Sequence, residues 1–170
     1  MTKQTASMYK IPPHENSPSK VWGVIEIPKN TNVKYEYDPI FNLFRYDRSL
    51  LSAMVYPASY GFIPSTIADD SDALDILVYN PWPIQTGIIV ECKVLGVLDM
   101  LDDGERDYKI LAVPVSHTRN YENIGDVDPA FLNICKNFFS HYKELANKKV
   151  EVYEWHEKEK AQQIISQSYI

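Results

Sequence analysis

The sequence predicts a mainly β protein of the α+β kind: a small closed or nearly closed β-barrel with one long and one short C-terminal α-helix. Three observations predict it. Eleven prolines against six glycines, together with twelve tyrosines, point to short strands joined by stiff turns rather than to a helical bundle. From Val21 to Val115 the apolar residues alternate or come in short runs bounded by proline, glycine or aspartate. After Asp128-Pro129 the period becomes that of a helix. At 170 residues, 45% hydrophobic and 24% charged, the chain has the size of one globular domain, expected to bury about 70% of its unfolded surface.

Residues 1–20 are polar and proline-interrupted, and read as an N-terminal arm, flexible or draped over the body, preceding a single domain at 21–170. Residues 21–27 and 33–37 read as strands separated by a turn at 28–32. In the second strand Val33, Tyr35 and Tyr37 share one face, and Lys34 and Glu36 share the other. Further strands are expected at 42–47, 58–63, 75–79, 88–100 and 108–115, by default in an antiparallel meander. Asp128 is placed to cap a helix that has Pro129 at its first position. Phe131, Leu132, Cys135, Phe138, Phe139, Tyr142 and Leu145 keep helical spacing, so one amphipathic helix packs on the sheet. Residues 149–155 read as a last strand and 157–168 as the short terminal helix.

Composition excludes several classes of function. The net charge is −6 and the lysines and arginines are scattered, so no basic stripe exists for a nucleic-acid backbone. Cys92 and Cys135 lie far apart without C-x-x-C spacing, and no N-x-S/T acceptor occurs, so neither a disulfide framework nor a secreted glycoprotein is indicated. The N-terminus lacks an apolar signal core and the longest apolar runs are too short to span a bilayer; a cytoplasmic protein with no membrane partner is expected.

Chemistry concentrates in two acidic loops. Asp70, Asp72 and Asp75 crowd a loop-to-strand junction, where carboxylates this close repel one another unless a cation joins them. Alone, such a run reads as a solvated turn. A second cluster, Asp102-Asp103-Gly104-Glu105-Arg106-Asp107, sits between two strand patterns as a hairpin loop. Together the clusters supply the oxygen ligands that a magnesium or manganese site needs. A calcium-sensor loop does not fit: counting from Asp70 puts Leu74 at the fifth position and Pro81 at the twelfth, where a glutamate must stand. No glycine-rich phosphate loop and no H-E-x-x-H helix is present. Carboxylates rather than a glycine cradle must hold the metals.

Basic and tyrosine groups accompany the loops: Lys34 with Glu36, Arg48, Tyr56 and Tyr60 around Pro57-Ala58-Ser59, Lys109 after Asp107, and Tyr142-Lys143 in the long helix. Singly each reads as a surface pair or a core edge. Their order carries more. I-E-I-P with Glu26, K-Y-E with Lys34 and Glu36, D-R with Arg48, Y-P-A-S-Y-G-F-I-P, D-S-D-A-L-D, D-D-G-E-R-D-Y-K and H-Y-K together resemble the soluble family I inorganic pyrophosphatases over about two-thirds of the chain.

The resemblance implies a five-stranded OB-type closed barrel and hydrolysis of pyrophosphate to two orthophosphates. It also implies Mg2+ dependence, with Mn2+ or other divalent cations as substitutes, and, for the short prokaryotic type, a homohexamer. It implies Asp70, Asp75, Asp102 and Asp107 as metal ligands and Asp72 as general base. Lys34, Arg48, Tyr60, Tyr142 and Lys143 are implied at the substrate, and Glu26, Glu36, Tyr56 and Lys109 in support. Where the family pattern has glycine and proline, D-G-D-P-x-D, this chain has Ser71 and Ala73. If that glycine sits at positive φ, Ser71 costs about 1 kcal/mol and the loop is looser without the proline. The arm before Lys20 and the tail after Trp155 carry no part of the pattern. The competing readings are a non-catalytic OB-type binding module and a hydrolase of longer polyphosphates or nucleotides.

Overall fold

The computed structural model describes residues 6–170; residues 1–5 of the expected arm lie outside the described residues. Its strands are β1 (Lys20–Ile27), β2 (Val33–Asp38), β3 (Leu43–Ser49), β4 (Ser59–Phe62), β5 (Asp75–Val78), β6 (Ile89–Asp102), β7 (Glu105–Arg106), β8 (Lys109–Pro114) and β9 (Val150–Glu157), with helices α1 (Pro129–His141) and α2 (Lys158–Ser168). The protein is mainly β with two helices. The two-residue strand β7 was hidden in the hairpin loop expected at 102–107.

β6 organises the sheet. Its register slips between Val94 and Gly96 against β8, and between Leu98 and Met100 against β9, and such irregularities bend a strand. The bent β6 pairs with β1, β7, β8 and β9. The pairings β1–β4, β4–β5, β5–β8, β8–β6 and β6–β1 run in a ring of five strands, and β2–β3 form a separate two-stranded sheet.

The default antiparallel meander is therefore corrected. β5 and β8 pair in parallel, with Ile76 beside Ile110 and Leu77 beside Leu111. The physical reason is readable in Ile76-Leu77-Val78 and Ile110-Leu111-Ala112-Val113, which are buried at every position. Unbroken apolar runs suit parallel strands covered on both faces, whereas alternation marks a half-exposed antiparallel strand.

Those two covers are the cores. Leu77, Leu95, Leu98 and Leu111 pack with Cys135, Phe138 and Phe139 of α1, while Ile25, Ile76, Val94 and Ile110 pack with Ala161, Ile164 and Ile165 of α2. Burying Phe138 and Phe139 contributes about 2 kcal/mol each. α1 begins as expected, with the Asp128 carboxylate accepting the Ala130 N–H at 2.9 Å and Pro129 following. It stops sooner, at His141; Tyr142 caps it, and a short 3-10 turn, Glu144–Ala146, ends on left-handed Asn147. No helix among the described residues is long and apolar enough to cross a membrane.

Candidate active site

Irregularities in the strands deliver the polar side chains. Against β4, the register of β1 slips between Ile25 and Ile27, leaving Glu26 as the extra residue of a bulge, a device that re-aims a side chain. Glu26 is buried, and its Oε1 accepts the N–H of Tyr37 at 2.8 Å. Between β2 and β3 the register slips between Lys34 and Tyr35, and Asp47 is the residue left over. The Lys34 ammonium lies 2.5 Å from Glu36 Oε1 and 3.5 Å from Asp47 Oδ2, while Arg48 Nη1 lies 3.0 Å from the same Asp47 oxygen.

The parallel β5–β8 pair sets the centre, because its register places Asp75 beside Lys109. Lys109 is buried and its Nζ donates to Asp75 Oδ2 at 2.5 Å, Asp107 Oδ1 at 2.6 Å and Tyr60 Oη at 3.1 Å. Asp102 ends β6 and bonds Lys143, while Tyr142 Oη approaches the same carboxylate at 3.5 Å. Tyr142 and Lys143 thus enter from just beyond the end of α1 rather than from within the helix expected to hold them.

The first acidic loop is locally self-bonded. The Thr66 hydroxyl donates to Ile63 O at 2.6 Å and accepts the Leu74 N–H at 2.9 Å, Ala68 N–H donates to Asp72 O at 2.7 Å, and Asp70 Oδ1 accepts the Asp72 N–H at 3.0 Å. Ser71 sits at the apex with φ +71°, the left-handed conformation that the sequence comparison with glycine anticipated.

Every residue that the family resemblance assigned to metal, base, substrate or support lines one cavity of about 440 Å³. Seven carboxylates, Glu26, Glu36, Asp70, Asp72, Asp75, Asp102 and Asp107, face four cations, Lys34, Arg48, Lys109 and Lys143. Burial, and behind it the neighbouring carboxylates, raises several of the acid groups. Burial, with Asp75 and Glu36 nearby, pushes the Glu26 carboxyl up to about 8. Burial, then the Asp70 and Glu36 charges, raise that of Asp72, and burial raises Asp107 despite Lys109. For Lys109, burial works toward neutrality, but Asp75 and Asp107 outweigh it and hold the ammonium charged. Burial keeps the phenols of Tyr60 and Tyr142 protonated, as hydrogen-bond donors.

Among the described residues, no three Asp, Glu, His or Cys side chains converge closely enough to hold a metal as they stand. Asp75 and Asp107 pair with the Lys109 ammonium, and Asp102 with that of Lys143. The donor set nevertheless suits a hard divalent cation: it is all carboxylate oxygen, and two of its members already share one positive charge. The arrangement can hold cations and, through them and the basic side chains, a small polyanion.

Sequence reasoning missed Tyr9, Tyr37, Pro39, Phe62 and Phe139, which also line the cavity, as does Ala73, named there only as a departure from the family loop. Phe139 was legible only as part of the helical stripe, and Tyr37 was placed on the face opposite Lys34. Tyr9 comes from the arm that showed no functional pattern, and nothing in its local sequence announces it.

A family model described as inorganic pyrophosphatase matches residues 23–169. The inorganic pyrophosphatase of Campylobacter jejuni is 45% identical over 156 residues, covering 89% of this chain and 91% of that protein. That of Aeropyrum pernix is 41% identical over 161 residues, covering 92% of each. Among solved structures, the inorganic pyrophosphatase from Thermus thermophilus superposes with a TM-score of 0.91 at 37% identity, covering 95% of both chains.

Proposed function

The chain belongs to the inorganic pyrophosphatase family and hydrolyses pyrophosphate to two orthophosphates, and from that premise we propose that it does so with bound Mg2+ and with Asp72 as general base. The observation that carries this reading is the meeting of both aspartate loops with Lys34, Arg48, Lys143, Tyr60 and Tyr142 around one cavity.

Asp70, Asp75, Asp102 and Asp107 would hold the metal, for which Mn2+ or another divalent cation can substitute. When bound, such cations lower the pKa of coordinated water and offset the charge of the polyanion, which reconciles an acidic protein with an anionic substrate. Asp72, whose carboxyl burial and Asp70 hold above the ordinary carboxylate range, orients the attacking water and takes its proton. Lys34, Arg48 and Lys143, with the protonated phenols of Tyr60 and Tyr142, hold the two phosphates and stabilise charge on the leaving one. Lys109 keeps Asp75 and Asp107 in register, and Glu26, Glu36 and Tyr56 support the walls.

We read the ring of five strand pairings as the closed OB-type barrel, and place the protein in the cytoplasm as a homohexamer; exposed Ile40, Phe41 and Trp82 offer apolar surface for such assembly. Neither a nucleic acid nor a membrane is a partner in this reading. The non-catalytic OB-type module is not favoured, because none of the five aspartates is missing.

Phosphate release from pyrophosphate, tripolyphosphate and ATP, each with and without Mg2+, tests the proposal. Release from pyrophosphate that requires Mg2+ and exceeds the other two substrates is expected. No Mg2+-dependent release would refute the metal reading, and faster release from tripolyphosphate or ATP would reassign the substrate.

A further inference from the structure

The arm crosses the body beside the first acidic loop. Ser65, just after β4, donates its N–H to Tyr9 O and its hydroxyl to Ile11 O, both at 2.8 Å. On the opposite side, Ile67 N–H donates to Ser168 O and Ile170 N–H to Ser65 O, so the base of the loop is held between the two ends of the chain. The Tyr9 ring packs on Phe62 with centroids 4.7 Å apart, and edge-on to Tyr37 at 5.1 Å.

Both of those aromatics are tied to the site. Phe62 pairs with Asp75 across β4 and β5, and the Tyr37 N–H is the one that Glu26 accepts. Ala73, inside the loop, packs on the same cluster as Met8, Tyr9 and Ile11. Tyr9 itself reaches the cavity wall that Asp72 and Glu36 also line. Without a proline at 73, the backbone there is less restricted than in the family pattern.

We infer that Tyr9 is a positioning residue for the active site: its ring braces the Asp70–Asp75 loop and so sets the affinity of that loop for a divalent cation. The inference rests on the metal role proposed for those aspartates. The ring, not the hydroxyl, makes the contacts with Phe62 and Tyr37, so phenylalanine at position 9 preserves the brace and alanine removes it.

The test is a titration of the full-length protein with Mn2+ in the absence of substrate, followed by electron paramagnetic resonance, with circular dichroism confirming the fold. Tyr9→Ala is expected to weaken Mn2+ binding about tenfold and Tyr9→Phe less than about twofold. Unchanged Mn2+ affinity in a folded Tyr9→Ala protein would overturn the inference, as would equal losses in both variants. Should Tyr9→Ala fail to fold, Ser65→Ala decides, since it severs the hydroxyl bond to Ile11 outside the cavity: weaker Mn2+ binding supports the brace and unchanged binding removes it. Failure of the wild type to hydrolyse pyrophosphate would strike the proposed function, while the titration would still judge Tyr9.

Discussion

Ser71 pays for its position at the apex of the acidic loop. At φ +71° its Cβ crowds the backbone by about 1–2 kcal/mol, while glycine there would lose about 0.5–1 kcal/mol of extra chain freedom on folding. Ser71→Gly is therefore expected to stabilise the protein by about 0.5–1 kcal/mol, read as a higher urea midpoint at unchanged slope. Glu26 carries a pH dependence. Its carboxyl titrates near 8 in the fold against 4.5 for an ordinary glutamate, so the folded state binds a proton that the unfolded state has already released. The stability of the metal-free protein should fall as pH rises from 4.5 toward 8. Glu26→Gln keeps an acceptor for the Tyr37 N–H and should flatten that decline in melting temperature; an unaltered slope would show that Glu26 is not its source. At this scale the site was largely legible, because its acids, bases and tyrosines stand in short ordered strings. Tyr9 was not, because its place depends on how the arm crosses Ser65, which no local pattern encodes.

Strand pairing turns those strings into a site. Glu26 faces the cavity because a bulge interrupts β1, Asp75 meets Lys109 because β5 and β8 run parallel, and Tyr142 and Lys143 reach Asp102 because α1 stops at His141. The strands and both helices could be located from alternation, turn residues and the Asp128-Pro129 start. Bulges and the hand of pairing could not, since they depend on partners distant in sequence; yet the unbroken runs at Ile76–Val78 and Ile110–Val113 did carry a sign of parallel, doubly covered strands. Gly61 gives this scale its prediction. A Cβ there would stand 1.8 Å from Val24 O, so β4 cannot approach β1 with any side chain at that position. Gly61→Ala should destabilise the protein by more than about 2 kcal/mol, as overpacked sites do, and lower phosphate release by displacing the adjacent Tyr60. A urea midpoint equal to that of the wild type would mean that the two strands are not so tightly apposed.

The molecule as a whole is acidic, at −6, and its cavity repeats that bias with seven carboxylates to four cations. Cations that bind the folded state alone must stabilise it by mass action, by about 2.7 kcal/mol at a hundredfold excess over the dissociation constant. Chelation with EDTA should accordingly lower the melting temperature, and Mg2+ should restore it; a melting temperature indifferent to both would argue against a metal in the fold. The sequence indicated the acidic balance, but not that the N-terminal arm and the C-terminal tail would both close on the acidic loop, since those contacts join residues more than fifty positions apart. The central claim, a metal site in which Asp72 handles the proton, is tested most directly by phosphate release from pyrophosphate at saturating Mg2+ for the wild type and Asp72→Asn. A loss of about 10²–10⁴-fold is predicted, the range for removal of a general base, with Mn2+ binding retained. Equal rates in the two proteins would contradict it.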